Sequence, residues 1–286
     1  MKKIVFAVVF CLFMYACSNV PITGRRQLLL VSDQEVLTLS LQQYNEYMSS
    51  APLSKDKTNT AMITKVGQKI ADAVALYYEA SGMSSELNGY KWEFNLIADS
   101  QVNAFCMPGG KIVIYEGILP YTQNETGLAV VIGHEAAHAI AKHANERMSN
   151  QMVTEYGLGA VGGLLSKSSS TMQTVGGAVL GLGAQYGVML PFSRKQEYEA
   201  DRLGLVFMAI AGYDPNQAVP FWERMSQKGA VAIPEFMSTH PSDANRIKEM
   251  RNILPEAMEY YNAVKGIKST TTTTPSNAKN SEQWKF

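Results

Sequence analysis

The chain has 286 residues, enough for one large domain or two small ones. Hydrophobic residues make up 46% of it and charged residues 17%, so a sizeable core can form, which argues against a globally disordered chain. Its 25 basic residues equal its 25 acidic ones, and this balance gives no support to nucleic-acid binding, which normally leaves a basic footprint.

The first 16 residues have the pattern of an export signal. Two lysines precede an unbroken apolar run, Ile4–Ala16, which is too short to cross a bilayer comfortably as a helix. The end of this run together with the next residue, Met14-Tyr15-Ala16-Cys17, resembles a bacterial lipoprotein box, although a methionine replaces the usual leucine and the tyrosine is bulky. We therefore expect residues 1–16 to be removed and Cys17 to be lipidated. An ordinary secretory signal cut nearby is the alternative.

The cysteine count agrees with export. Cys11 lies in the signal and Cys17 would carry lipid, so Cys106 has no partner for an internal disulfide and is predicted to be a buried structural thiol. Residues 17–31 are predicted to be a lipidated tether. The folded domain is expected over 32–266, followed by a disordered, low-complexity tail over 267–286.

Helices alternate with two strands in the first half of the chain. Ser32 and Glu35 have the spacing of a capping box. The periodicities predict helices over 32–48, 58–78 and 122–148, and strands over 92–97 and 111–115, the second after the turn signal Pro108-Gly109-Gly110.

The second half of the chain is predicted to be helical. Helices are expected over 193–211, from Asp214 with Pro215 in the first turn, and over 242–253. Gly157–Leu190 is rich in glycine and apolar residues, and each half is below membrane-spanning length. The sequence leaves three alternatives for this stretch: two short buried helices, a flexible flap over the active site, or a hairpin that dips into the membrane.

The stretch His134-Glu135-Ala136-Ala137-His138 fits the H-E-x-x-H pattern. Residues four apart share a helix face, so both imidazoles can reach one metal ion, while Glu135 projects beside it. The flanking residues are apolar, and a buried helix has no reason to carry two histidines and a carboxylate unless they are paired or ligated. The pattern predicts a zinc site with Glu135 as the general base.

A catalytic zinc needs a third protein ligand and an open position. Glu197 and Asp201 are four apart on a predicted helix, so Glu197 can ligate while Asp201 accepts the second ring N–H of a ligating histidine. Glu199 is expected to point elsewhere and be exposed. His143 is expected to be solvated or to support the site from behind.

These two motifs together resemble the HtpX-type zinc metallopeptidases, peptidase family M48, which includes CAAX prenyl endopeptidases and bacterial outer-membrane quality-control lipoproteins. The stretches 103–112 and Ser238-Thr239-His240-Pro241 with Arg246-Ile247 also resemble this family, and the match covers roughly residues 32–253. The resemblance implies an α+β, mostly helical, zincin-like metallopeptidase domain with a small sheet beside the active-site helix. It supports Glu197 as the third ligand of one zinc ion.

The resemblance also implies roles near the substrate for His240 and Arg246. A histidine beside the metal can stabilise the oxyanion of the tetrahedral intermediate, and Arg246 can pair with Glu197 or Asp201. A plain His-Pro turn with a surface arginine is the alternative.

Zinc endopeptidases hold their substrate as an extended strand along a sheet edge. We expect Lys111–Tyr115 to be that edge, with Ile112, Val113 and Ile114 contacting substrate. Residues Asn103, Ala104 and Phe105 are expected to flank the groove. Ordinary core strands are the alternative.

The predicted function is a zinc endopeptidase that hydrolyses envelope proteins, with unfolded or misassembled proteins as substrates. It is expected to face the periplasm and to be anchored by lipid to a membrane, with the outer membrane favoured over the inner. The alternatives are a chaperone-like lipoprotein with minor or latent peptidase activity, a zinc hydrolase for another bond, and a structural lipoprotein without metal. The Glu135→Gln variant separates the chaperone-like function from a peptidase, because a protein that works by binding would keep its function in the envelope after cleavage is lost.

Overall fold

A computed structural model describes residues 17–20, 23–156, 193–227, 235–240 and 244–267. The strands are β1 (Cys17–Asn19), β2 (Arg26–Leu28), β3 (Glu93–Ile97), β4 (Ala104–Met107) and β5 (Lys111–Tyr115). The α-helices are α1 (Asp33–Ser50), α2 (Lys57–Ala80), α3 (Leu119–Thr122), α4 (Glu125–Ile140), α5 (His143–Tyr156), α6 (Arg194–Ile210), α7 (Ala218–Gln227), α8 (Glu235–Thr239) and α9 (Ala244–Val264). The expected fold class, mostly helical with a small sheet, is confirmed.

Several predictions lie outside the described residues. They concern the signal over 1–16, the stretch Gly157–Leu190 and the tail from residue 268 onward. In the described part of the chain, no helix combines the length and the apolar character needed to cross a bilayer.

The N-terminal segment is held against the domain, which corrects its prediction as a tether. Strands β1 and β2 form an antiparallel pair, and Val20 between them is 1% exposed in the main hydrophobic core. Further along, the Leu30 N–H donates to Ser149 Oγ at 2.8 Å. The described residues of this segment, 17–20 and 23–31, therefore pack as part of the domain that follows them.

The three-stranded sheet has the order β3-β5-β4, with β5 parallel to β3 and antiparallel to β4. Every residue of β5 is buried, as expected for a central strand covered on both faces. Gly109 and Gly110 form the β4–β5 turn with φ angles of 88° and 85°, in a region that side chains other than glycine rarely adopt. Helix α4 contacts β4 and β5, so the sheet lies beside the helix that carries the H-E-x-x-H motif.

The first two helices follow their sequence signals. Ser32 and Glu35 form the predicted capping box at the start of α1. In α2 the apolar residues Val66, Ile70 and Val74 recur at helical spacing and are fully buried, so this face of the helix packs on the core.

The predicted continuous helix over 122–148 is wrong. Helix α4 ends at Ile140, and Lys142 adopts a left-handed conformation with φ 56°, after which α5 begins at His143. Lys142 Nζ lies 2.7 Å from Asp33 Oδ2 and 2.9 Å from Glu86 Oε2. The sequence has no glycine or proline at this break, so the local sequence does not predict it. The break coincides with the contacts that Lys142 makes to residues distant in the chain.

Helix α6 agrees with its prediction, but α9 is longer than expected. It continues to Val264 through Pro255. Proline in a helix interior removes a backbone hydrogen bond, and the packing of α9 against α6 and the burial of Ala257 compensate for that loss.

Helices α4 and α6 cross in close contact at a pair of glycines. A Cβ atom on Gly204 would lie 2.9 Å from the carbonyl carbon of Gly133 and from the backbone nitrogen of His134. The absence of side chains therefore lets the two backbones touch next to the first histidine of the motif. This contact sets the distance between the two helices that carry the site.

Candidate metal centre

Three elements bring four buried donors together. Helix α4 supplies His134 and His138, α6 supplies Glu197, and His240 directly follows α8. Each is at most 3% exposed, and one ligand atom from each lies within 4.8 Å of the others. This is a candidate metal site in the described part of the chain.

The distances between the donor atoms suit a tetrahedral ion. His134 Nε2 lies 3.1 Å from His138 Nε2 and 3.2 Å from His240 Nδ1. Glu197 Oε1 lies 3.0 Å from His240 Nδ1 and 3.4 Å from His138 Nε2. Zinc–nitrogen bonds of about 2.0–2.1 Å place neighbouring ligand atoms of a tetrahedron roughly 3.4 Å apart. Imidazole and carboxylate are also the ligand types that zinc prefers.

The sequence predicted three ligands and an open position, and here the structure differs. Nδ1 of His240 joins the two histidines and Glu197 as a fourth possible donor, 3.2 Å from His134 Nε2 and 3.0 Å from Glu197 Oε1. Its other ring nitrogen, Nε2, is 3.3 Å from Glu135 Oε1. His240 therefore touches both the donor set and the predicted base.

Glu135 lies beside the donors and not among them. Its Oε2 accepts a hydrogen bond from the Cys106 N–H at 3.1 Å, whereas its buried Oε1 has no hydrogen-bond partner in the described structure. A buried carboxylate oxygen in this state is costly unless an ion or water interacts with it. Burial raises the pKa of Glu135, which suits a group that must both take and return a proton.

Asp201 holds His134 from behind. Its Oδ1 is 3.0 Å from His134 Nδ1, so Nε2 is left to face the other donors. Burial lowers the pKa of His134, but the carboxylates of Asp201 and Glu197 outweigh it and raise the pKa to about 9. Carboxylates that favour an imidazolium here also favour a divalent cation beside the ring.

Arg246 joins the two acidic residues of α6. Its guanidinium donates to both oxygens of Asp201 at 2.7 and 2.8 Å, lies 2.7 Å from Glu197 Oε2 and stacks 3.8 Å from the centre of the Trp222 ring. Burial would raise the pKa of Glu197, but the charge of Arg246 and the nearby histidines hold it well below its ordinary value. Glu197 therefore stays ionised, as a ligand must.

His138 is supported by His143, as one of its two predicted roles requires, and by Glu199, which was expected to be exposed. Its Nδ1 is 2.8 Å from Nδ1 of His143, which is fully buried and not solvated. His143 Nε2 is 3.0 Å from Glu199 Oε2, and Glu199, expected to be exposed, is only 5% exposed. Arg25 from the N-terminal segment covers Glu199, with Nε 2.7 Å from Oε2.

The family assignment rests on this geometry together with a match along most of the chain. Residues 59–254 match the model of Peptidase family M48 and include all four donors. The chain belongs to peptidase family M48. The metallopeptidases of this family use zinc, in agreement with the donor set.

The relatives in this family include mitochondrial and bacterial proteins. The chain is 36% identical over 252 residues to the mitochondrial metalloendopeptidase OMA1 of Schizosaccharomyces pombe, covering 83% of this chain and 66% of that protein. It is 28% identical over 264 residues to the human metalloendopeptidase OMA1, covering 89% and 49% of the two chains. It is also 28% identical over 209 residues to the beta-barrel assembly-enhancing protease of Escherichia coli, covering 71% and 40%.

The strand predicted to hold substrate in this M48 domain is the wrong one. Lys111–Tyr115 is central in the sheet, so the backbones of Ile112, Val113 and Ile114 are already flanked by β3 and β4. The error arose because the alternation of residues shows which positions form a strand but not which strand lies at the edge.

Strand β4 is an edge of this sheet among the described residues, and it faces the site. The Cys106 N–H points to Glu135, away from β5. Because backbone groups alternate in direction along a strand, Ala104 presents its backbone to the same side. The Ala104 N–H accordingly donates to Asn103 Oδ1 at 2.9 Å and not to the sheet. The side chains of Ala104 and Phe105 are buried.

Cys106 is half-buried at the same place. Its Sγ lies 3.4 Å from the Met107 carbonyl oxygen, and burial raises its pKa well above the usual value. A thiol in that state is a poor nucleophile, which agrees with its prediction as a structural residue.

Proposed function

We propose that this M48 domain is a zinc-dependent endopeptidase that hydrolyses internal peptide bonds of unfolded or misassembled envelope proteins. The observation that carries the proposal is the buried Oε1 of Glu135, which has no hydrogen-bond partner and lies next to three imidazoles and a carboxylate. A base in that position can act on a water molecule held at the donor set.

Each residue of the site has a distinct task in this proposal. His134, His138 and Glu197 hold the metal, which when bound supplies Lewis acidity and lowers the pKa of water to about 7. Glu135 removes a proton from the water and returns it to the leaving amine. Asp201 fixes the ring of His134, and Arg246 keeps Glu197 and Asp201 ionised and in place.

His240 is proposed to act on the substrate. A catalytic site needs one position for water, so His240 Nδ1 has to leave the donor set before turnover. From a position beside Glu135, its ring can donate a hydrogen bond to the oxyanion. The kcat of His240→Ala at equal zinc content measures this contribution, and a kcat that is not lowered would exclude it.

The substrate is proposed to bind along β4. An extended peptide can pair with the backbone of Ala104 and Cys106 once their N–H groups exchange their contacts with Asn103 Oδ1 and Glu135 Oε2 for the carbonyl groups of the peptide. This exchange frees Glu135 and places the peptide beside it with little dependence on sequence. Asn103 is fully buried and its Nδ2 has no partner in the described structure, so it keeps a donor for a substrate carbonyl. A polypeptide can pair with β4 in this way only where its backbone N–H and C=O groups are not already bonded within its own fold.

Cleavage of an unfolded protein tests the proposal. With zinc bound, we expect casein, which lacks a compact fold, to be cut at internal bonds, and a stable folded protein of similar size to stay intact. Mass spectrometry of the products identifies the bonds. Intact casein in the presence of folded, zinc-loaded protein would reject endopeptidase activity. Binding without cleavage would instead favour a chaperone-like function.

The location is proposed from the N-terminus and one relative. Cys17 is proposed to carry lipid and to hold the domain at a membrane facing the periplasm, with the outer membrane favoured. The name of the E. coli relative, a beta-barrel assembly-enhancing protease, supports a role in the envelope.

Membrane fractionation tests the anchor. We expect Cys17→Ser to move the protein from the membrane fraction to the soluble fraction, because a lipidated cysteine is lost. The control is Cys106→Ser, which should stay with the membrane. A Cys17→Ser protein that is cleaved normally and remains in the membrane fraction would contradict lipid anchoring at this residue.

A further inference from the structure

The N-terminal segment reaches the back of the metal site through one side chain. Arg25, in the connection between β1 and β2, lies between α5 and α6 and contacts an acidic residue of each. Its Nη1 and Nη2 atoms lie 2.6 and 2.8 Å from the two carboxylate oxygens of Glu146, and its Nε lies 2.7 Å from Glu199 Oε2. Each of the three guanidinium nitrogens therefore contacts a carboxylate oxygen, an arrangement that the single ammonium group of a lysine cannot reproduce.

From Glu199 a line of hydrogen bonds leads to a metal donor. Glu199 Oε2 is 3.0 Å from His143 Nε2, and His143 Nδ1 is 2.8 Å from His138 Nδ1. Nε2 of His138 faces the other donors, so a ligating His138 carries its proton on Nδ1 and donates it to His143 Nδ1. His143 then carries its own proton on Nε2 and donates it to Glu199. Each ring thus fixes the tautomer of the next.

Arg25 keeps the carboxylate at the end of this line in place. The Glu199 side chain is only 3% exposed, and a buried carboxylate without a positive partner is strongly disfavoured. Thr23 also donates a hydrogen bond to Glu199 from the same segment. Among the described residues, the cation that contacts Glu199 comes from residues ahead of the catalytic helices in the chain.

We propose that Arg25 is a positioning residue of the zinc site, which holds His138 in its ligating orientation through Glu199 and His143. The inference rests on the proposed zinc site and extends it to the N-terminal segment. The two histidines of the motif are then supported differently, since Asp201 reaches His134 directly whereas His138 depends on a segment eight residues beyond Cys17. Displacing this segment from the domain would loosen the metal.

The rate of zinc loss tests this inference without reference to activity. Purified zinc-loaded proteins are mixed with an excess of a chromophoric chelator, and the dissociation rate is read from its absorbance. Residues that support a metal ligand typically change metal affinity by about 10–100-fold, so we expect Arg25→Ala to release zinc about tenfold faster or more. The control is Arg26→Ala, which removes the same charge from the neighbouring, exposed position and should behave as wild type. Arg25→Lys should be intermediate.

A double-mutant cycle shows whether Arg25 acts through His143. We expect His143→Ala to release zinc quickly, and Arg25→Ala to add less than about twofold in that background, because the connection is already broken. If Arg25→Ala does not fold, the nearly isosteric Glu199→Gln takes its place in the cycle with the same expectation.

Two outcomes would overturn the inference. Equal zinc loss from Arg25→Ala and Arg26→Ala would show that the segment does not support the site, and full additivity with His143→Ala would show that Arg25 acts by another route. Failure of wild-type protein to bind zinc would instead reject the proposed function, so the two cases are distinguishable.

Discussion

Replacing Glu135 by glutamine is expected to lower kcat by about 10²–10⁴-fold and to leave the zinc content unchanged. Glutamine has nearly the same shape but cannot accept the proton of a water molecule, and Glu135 lies beside the donor set without belonging to it. The loss corresponds to about 3–5 kcal/mol of transition-state stabilisation. Peptide hydrolysis and metal analysis on the same sample measure both quantities.

Glu125→Gln is the matched control for this experiment. Glu125 begins the same helix, pairs with Lys65 at the surface and lies away from the donors, so its kcat should equal that of wild type. A Glu135→Gln protein that keeps full turnover would show that another group takes the proton. Loss of zinc from Glu135→Gln would show instead that Glu135 is a ligand.

Glu197→Ala is expected to lose zinc and activity together. Glu197 is the carboxylate of the donor set, and its removal leaves only imidazoles, which are neutral as ligands and do not offset the charge of the ion. It also leaves Arg246, which is 1% exposed, with one acidic partner fewer in the site, so the free energy of unfolding should fall as well. Metal content by mass spectrometry and thermal unfolding measure the two effects.

Glu223→Ala is the control for Glu197→Ala. Glu223 forms an exposed ion pair with Arg251, and such pairs contribute about 0–1 kcal/mol, so zinc and turnover should be unchanged. A Glu197→Ala protein that retained zinc and turnover would mean that His240 is the third ligand of the working enzyme. The roles assigned to these two residues would then have to be exchanged.

The sequence contained enough to predict the centre of the site. Two histidines four apart with a glutamate between them have a fixed relation on a helix, and Glu197 with Asp201 follows the same rule on α6. Local capping and apolar periodicity likewise located α1, α2 and β5. These features depend on neighbours in the chain, and the chain order records them directly.

What the sequence could not show depends on contacts between distant residues. A supporting role for His143 was one of its predicted roles, but its contact with His138 depends on the break between α4 and α5. The burial of Glu199 involves Arg25, which lies more than 170 positions away in the chain. The position of His240, the fourth possible donor, also depends on contacts between residues that are distant in the chain. His240 was predicted near the substrate, but spacing alone does not reveal that its ring lies among the possible metal donors.

The position of β4 at the edge of the sheet has a consequence for the choice of proteins that this domain would degrade. A strand that binds the peptide backbone takes its affinity from hydrogen bonds that every sequence offers. Two substrates with equal exposure of extended chain would therefore gain the same backbone hydrogen bonds from β4, and their side chains would matter only through pockets beside the strand. The cleavage rate of a given protein would then follow the fraction of time that it spends locally open, which is fixed by its own folding free energy. If the proposed function holds, such a site would select its targets by their thermodynamic stability, and a single destabilising mutation in a target would shorten the lifetime of that target without altering any contact with the enzyme.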